Sequence, residues 1–203
     1  MSEWNQLVNS ESIAKTAAAL EANGFKVIIV ENKKEGREAI LKLIPENSEV
    51  MTMSSVTLHE LDLDEELNES GNYKSVRAKF KTMDPEKDRH EMNRLGSSPE
   101  IAVGSVNAIS QDGRVLIASA TGSQLAAYVY GADKVIWVAG TQKITDSLES
   151  AKSRVYDYVL PLESERALKA YGRKSSINKL LEVNKEVVPG RITIVLIKEK
   201  LGF

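Results

Sequence analysis

Three features of the 203-residue sequence predict an α/β fold: a Rossmann-like, three-layer domain with a mostly parallel sheet, one antiparallel hairpin and helices on both faces. Val27 to Val30 is continuously apolar and β-branched rather than alternating, and Val135 to Val138 is another such run, as expected of strands covered on both sides. Segments with apolar residues at helical spacing lie between these runs, several opened by serine or threonine, residues whose side chains cap free amides. Asp112-Gly113 separates Ala108-Ile109 from Val115-Leu116-Ile117, the signal for a tight hairpin.

In chain order, Ser10 caps a first helix with Ile13, Ala17 and Leu20 on one stripe, and Gly24 sits where a left-handed cap ends it. The strand Val27 to Val30 follows, then a helix through Ala39 and Leu43 that stops at Pro45, since proline cannot continue a helix. Val50 to Met53 gives a second buried strand, after which Ser54 or Ser55 caps a short helix around Leu58 and Leu61. This is a β-α-β unit, for which a right-handed crossover is expected. Positions 62–96 read as an irregular, mobile excursion: an acidic patch (Asp62, Asp64, Glu65, Glu66, Glu69), then Val76, Ala78 and Phe80 alternating with Arg77, Lys79 and Lys81, then a polar helix from Asp84-Pro85 to about Gly96. Beyond the hairpin, Thr121-Gly122-Ser123 opens a helix with Leu125, Ala126 and Val129 on one face and Gly131 at its end. Gly140-Thr141-Gln142-Lys143 leads into another, with Ile144, Leu148, Ala151 and Val155 at helical spacing. Shorter elements around Val159, Leu168 and Leu180 precede a last strand, Ile192 to Ile197, and no repeat or linker divides the chain.

The composition, 42 % apolar and 28 % charged, is that of one folded globular domain rather than a disordered chain. No apolar run reaches the roughly 20 residues of a membrane span, and Met1 to Leu7 lacks the features of a signal peptide, so a cytoplasmic protein is expected. A formal net charge of −2 offers no basic field for nucleic acid. The chain has no cysteine, which excludes disulfides, thiolate chemistry and cysteine-ligated zinc or iron-sulfur centres of its own.

In open α/β sheets ligands lie beyond the carboxyl ends of the strands. Four loops follow predicted strands: Ser54-Ser55-Val56-Thr57, Gly104-Ser105-Val106-Asn107, Ser119 to Gln124, and Gly140-Thr141-Gln142-Lys143. All combine small residues with hydroxyl or amide side chains, and at least three open a helix, whose free amides and dipole contribute roughly 0.3 to 2 kcal/mol toward an anion. Ser55, Thr57, Gly104, Ser105, Asn107, Thr121, Gly122, Ser123, Gln124, Gly140, Thr141, Gln142 and Lys143 are therefore the candidate ligand-binding residues. The competing explanation is that the hydroxyls are ordinary helix caps. Lys143 is the sharpest single candidate, because a cation at a helix start opposes the dipole unless an anion compensates.

Asn107, in a run of small residues, either satisfies backbone groups or reaches the ligand. Glu60, in the first turns after Ser55, is the candidate proton acceptor. His59 and His90 have no matching ligand cluster, so no metal site is expected. The acidic patch reads as a solvated face, Arg77, Lys79 and Lys81 would share one strand face that could dock an acidic partner, and Trp4 and Trp137 are structural.

The run GSVNAISQDGRVLIASATGSQLAAYVYGADKVIWVAGTQKI, Gly104 to Ile144, resembles the lactate-utilisation (LUD) domain family, supported by the upstream SSVTLHEL, by Arg154 and Leu162-Glu163, and by the closing Leu201-Gly202-Phe203. The resemblance extends over most of the chain from about Val27 and rests on the order and spacing of short motifs. It implies a Rossmann-like fold akin to ribose-phosphate isomerases, glucosamine-phosphate deaminases and CoA transferases, with ligand loops at strand ends. Proteins of this kind are subunits of systems that oxidise L-lactate beside an iron-sulfur partner. The family's Gly-rich segment falls on Gly104, Asn107 and Gly113, its small-polar helix start on Thr121, Gly122, Ser123 and Gln124, and its G-x-x-K-I element on Gly140, Lys143 and Ile144. A nucleophilic glutamate of the kind CoA transferases use has no clear counterpart.

The expected function is thus binding of a small carboxylate or phosphate in 2-hydroxy-acid utilisation, with Lys143 polarising the substrate carboxylate or carbonyl and Glu60 accepting a proton. A non-catalytic scaffold for an iron-sulfur partner, docked through 62–96, is the alternative, and a sugar-phosphate isomerase-like enzyme ranks third by fold analogy alone. No cofactor is expected in this chain, nucleic acid and membrane are not expected partners, and homo-oligomerisation is left open.

Overall fold

The computed structural model describes residues 3–203; Met1 and Ser2, at the start of the stretch read for a signal peptide, lie outside the described residues. Strands β1 (Lys26–Val30), β2 (Glu49–Thr52), β3 (Lys74–Ser75), β4 (Ile101–Ser105), β7 (Lys134–Gly140) and β10 (Ile192–Ile197) form one sheet in the order β1-β10-β7-β4-β2-β3. Every pairing in it is parallel. A second, mixed sheet carries the hairpin: β5 (Ala108–Ser110) and β6 (Val115–Ser119) pair antiparallel, with β8 (Ile144–Thr145) beside β5 and β9 (Lys179–Val183) beside β6. The α/β class, the parallel sheet and the Asp112-Gly113 hairpin stand as expected, with the hairpin in a sheet of its own.

The apolar runs divide by parity. On β7, Val135, Trp137 and Ala139 join one core while Ile136 and Val138 join the other; on β10, Ile192, Ile194 and Leu196 oppose Val195 and Ile197. Successive side chains of a strand point to opposite faces, so two apolar layers require two helical layers. α1 (Ser10–Ala22), α5 (Val76–Phe80) and α6 (Arg89–Ser97) cover the first face, and α2 (Lys33–Lys42), α3 (Val56–His59) and α4 (Leu63–Glu69) the second. Trp137 is fully buried, with Tyr128 edge-on at 5.5 Å and Phe25 at 6.1 Å.

Several local expectations are corrected. Asn9 rather than Ser10 caps α1, accepting from the Ser12 amide at 2.8 Å. β1 is an edge strand with Ile29 exposed, and β10, β7 and β4 separate it from β2, so the first two strands are not neighbours. The segment 62–96 holds α4, β3, α5 and α6, with Leu63, Leu67, Val76 and Leu95 buried; its polar residues line the outer side of short helices that bury one or two apolar anchors each. Because Val76 to Phe80 is helical, Arg77, Lys79 and Lys81 do not share a strand face: Arg77 turns inward and Lys81 pairs with Glu69 at 3.1 Å.

The helix expected from Thr121 is a short turn that widens into a π-helix over Ala127–Gly131, which buries Ala127 and Tyr128 and leaves Val129 exposed. The helix expected directly after Gly140 is instead a 3-10 turn, Thr141–Lys143, followed by β8 and only then by α7 (Leu148–Ser153). From 148 to 171 the chain stays helical through a π stretch, Arg154–Val159, into α8 (Leu160–Tyr171). Pro161 cannot donate a hydrogen bond back along this helix and crowds the carbonyl four residues earlier, and the ladder is widened over the turn that precedes it.

Candidate functional site

A cleft of about 270 Å³ opens beyond the carboxyl ends of the adjacent strands β2, β4 and β7, closed on one side by the end of β6 and on another by the 148–171 helix. Both π stretches border it, through Tyr128 and through Val155 and Val159. Ser55, Thr57, Ser105, Asn107, Thr121, Ser123, Gln124 and Lys143, from all four candidate loops, line this one space.

Lys143 lies at the floor and is 2 % exposed. Its Nζ is 3.0 Å from Thr57 Oγ1, 2.9 Å from Ser105 Oγ and 3.1 Å from the Val106 carbonyl. Burial, reinforced by the neighbouring Arg154 and opposed by Glu60, lowers its pKa from the ordinary lysine value to about 7. Arg154 is itself fully buried, donates to the Asn107 carbonyl, stacks 5.2 Å from the Tyr158 ring and is lowered to about 10 by burial. Its Nε is buried without a hydrogen-bond partner among the described residues. Glu60, the carboxylate acting on Lys143, is 34 % exposed. Lys143 therefore lines the cleft with a second buried basic group, Arg154, behind it, and the carboxylate that acts on Lys143 is partly in water. Buried positive charge without a buried counter-ion is costly.

Further basic groups stand on the walls. Arg77 donates through Nε to the Thr52 carbonyl at 2.7 Å and through Nη2 to Ser54 Oγ at 2.8 Å, and burial lowers its pKa. Arg166 is clamped by Glu163 through two bonds of 2.7 Å, which raises its pKa, and lies 5.5 Å from the centre of the Tyr171 ring.

Gly104, Gly122, Gly140, Thr141 and Gln142 are not among the lining residues and build the site, while Asn107, Gln124 and Ser55 both line it and brace it. Gly104 gives room to Tyr128, whose hydroxyl would be 1.7 Å from a Cβ there. Gln142 Nε2 donates to the Leu201 carbonyl at 2.8 Å, and Gly140 lets Glu199 and Leu201 pass close by. This seats Leu201-Gly202-Phe203 against Thr57 and brings Phe203 to the cleft wall. Thr141 is buried beside Gln142. Gly122 donates its amide to Ser119 Oγ, and Gln124 folds back onto Ser119 and the Ala118 carbonyl. Asn107 Oδ1 accepts the Ala118 amide at 2.7 Å, so its side chain both ties β6 down and borders the cleft. Ser55 caps α3 through the Leu58 amide.

Two expectations change here. Lys143 is not at a helix N-terminus, since β8 intervenes, so burial and Arg154 rather than a helix dipole make its charge costly. Glu60 is not among the cleft residues: it accepts from the Gly202 amide at 3.2 Å and pairs with Lys33 at 3.6 Å. Sequence reasoning from strand ends missed Arg77, Arg166 and Tyr128. Only the motif around Leu162-Glu163 pointed to this part of the long helix. His59 pairs with Asp64 at 3.1 Å, and no metal-ligand cluster occurs among the described residues. Nor is any helix among them long and apolar enough to cross a membrane.

The fold is that of an α/β protein with a cleft at the carboxyl ends of its parallel strands. The LUD domain pattern matches residues 13–197, and the chain belongs to the LUD domain family. A DUF162 family protein from Deinococcus radiodurans has a similar structure, with a TM-score of 0.59 at 12 % identity over 95 % of this chain and 99 % of that one, a likeness of fold. Looser likenesses reach the eIF2B beta of Chaetomium thermophilum (TM-score 0.37, 13 % identity, 58 % of this chain and 44 % of that one) and the ribose 5-phosphate isomerase of Plasmodium falciparum (0.33, 13 %, 56 % and 52 %). No curated protein matches the sequence significantly.

Proposed function

We propose that this LUD domain binds a small carboxylate- or phosphate-bearing metabolite in the cleft and serves the oxidation of lactate or a related 2-hydroxy acid in the cytoplasm. The observation that carries the reading is the buried Lys143 in the cleft lining with the fully buried Arg154 behind it, while the one carboxylate that acts on Lys143, Glu60, is partly exposed. Arg77 adds positive charge on the wall, Arg166 stands there already paired with Glu163, and hydroxyls from Ser54, Ser55, Thr57, Ser105 and Ser119 supply neutral donors. The volume of about 270 Å³ lies just below the roughly 300–1,000 Å³ of pockets for drug-sized ligands, which favours a compact acid. Cofactor chemistry, if the pathway needs it, is assigned to an iron-sulfur partner.

A thermal-shift panel of lactate, pyruvate, sugar phosphates and CoA tests this. A ligand at 100 times its Kd stabilises by about 2.7 kcal/mol, and Lys143→Met is expected to abolish the response. An unresponsive wild-type protein, or an equal shift in the variant, overturns the reading. The second reading, a scaffold without turnover, is favoured by one observation: all three protons of a Lys143 ammonium find acceptors within the protein. Co-purification with an iron-sulfur protein, together with silence across the panel, is its signature.

A further inference from the structure

We propose that Lys143 is an imine-forming amine, which condenses with the carbonyl of a small 2-oxo acid bound in the cleft. The inference rests on the carboxylate-binding reading and narrows it to a substrate class with an electrophilic carbon beside the carboxylate.

The first ground is the hydrogen-bond chemistry around Nζ. Two of its three partners are hydroxyls, Thr57 and Ser105, and the third is the Val106 carbonyl. A hydroxyl both donates and accepts, whereas a carbonyl only accepts. The protonated amine can therefore donate to all three, while the neutral amine donates to Val106 and one hydroxyl and accepts from the other. Both protonation states find partners among these groups, and for attack the carbonyl carbon takes the place of the hydroxyl from which the lone pair accepts. A purely structural buried ammonium would be expected to rest on a carboxylate, yet none of the three partners is charged.

The second ground is placement. Nζ sits at the floor of the cleft, with Arg154 behind it and Arg77 on the wall. Desolvation and a neighbouring cation are the two means by which a lysine is activated as a nucleophile. They lower the pKa of Lys143 to about 7, which brings the neutral, nucleophilic amine within reach near neutral pH.

The step balances without a further reactant. Nζ attacks the carbonyl carbon, a C–N bond forms, and the carbonyl π pair moves to oxygen. That oxygen takes one amine proton relayed by Ser105 or Thr57, which are 3.2 Å apart. The carbinolamine then loses its C–O bond and the second amine proton, giving a C=N bond and one water. A basic wall residue such as Arg77 would hold the carboxylate during both steps.

The test is borohydride trapping on the full chain with pyruvate as probe, read by intact mass and peptide mapping. We expect one reduced pyruvyl adduct per chain on the peptide containing Lys143. Its yield should rise as pH passes upward through 7, fall with excess lactate, which has no carbonyl, and vanish in Lys143→Met. An adduct absent from wild-type protein, or spread over surface lysines and indifferent to lactate, overturns the proposal without reliance on any variant. The same samples are followed by thermal shift. Pyruvate stabilisation without an adduct removes the imine and leaves the anion site standing, whereas loss of both removes both.

Discussion

Tyr128 lays its hydroxyl over Gly104, so close that a Cβ on residue 104 would lie 1.7 Å from the oxygen. The two residues come from the π stretch and from the carboxyl end of β4, and their contact sets how near the cleft wall stands to the sheet. Gly104→Ala is expected to destabilise the protein by about 1–3 kcal/mol through overpacking. Tyr128→Phe removes the clashing oxygen, though the ring carbon at 3.0 Å still crowds the methyl, so rescue in the double variant should be partial. Chemical denaturation of the four proteins in the cycle measures this coupling.

Lys143 should impose a pH dependence of known sign. Its pKa is about 7 folded and near 10.5 unfolded, so between these values the unfolded chain holds one more proton than the native one. Stability then rises with pH, by about 1.4 kcal/mol per unit for one proton, and the charge penalty is fully present below 7. The difference between wild type and Lys143→Met, measured by denaturation from pH 6 to 10, isolates this group from Tyr128, whose pKa is raised by burial. A flat difference would mean that Lys143 titrates alike in both states.

Arg77 offers a binding test away from the floor. Its guanidinium is engaged by Thr52 and Ser54, and a hydrogen bond to a charged group contributes about 1.5–3 kcal/mol. Arg77→Ala is expected to raise the Kd of any responding anion about tenfold or more, while Lys79→Ala, on the same short helix and not among the cleft residues, should leave it unchanged. Calorimetric titration at fixed salt distinguishes the two.

Gly202 has φ +58°, and a Cβ there would lie 2.5 Å from Thr57 Oγ1 and 3.6 Å from Lys143 Nζ. Gly202→Ala is expected to cost about 1–3 kcal/mol from left-handed strain and contact and to lift the segment off the floor. Mass-spectrometric readout of reductive methylation should then show Lys143 modified faster than in wild type.

What could be read from the sequence follows from how local each signal is. The apolar runs at Val135 to Val138 and Ile192 to Ile197 and the Asp112-Gly113 turn depend on near neighbours, and each became the expected element. So did the rule that strand-end loops converge, which gathered Ser55, Ser105, Asn107 and Lys143 from distant parts of the chain. The order of strands was not legible, because the strands that lie between β1 and β2 are β10, β7 and β4, all of them later in the chain. Ile144, Leu148, Ala151 and Val155 share a helical spacing, yet Ile144 pairs with Ile109 in β8, a tertiary choice that overrides periodicity. The same override hid the burial of Lys143, since nothing beside it in sequence shows that Thr57, Ser105 and Arg154 will enclose it.

The floor of the cleft joins Thr57 to Leu201, 144 positions apart, and Lys143 to Thr57 across 86. Contacts of such long sequence separation are favoured only after most of the intervening chain has found its place. Recognition and foldedness are thus one event in this protein: a partly folded chain presents an ordinary, water-exposed lysine, and whatever occupies the mature cleft selects molecules that have completed folding and holds them there.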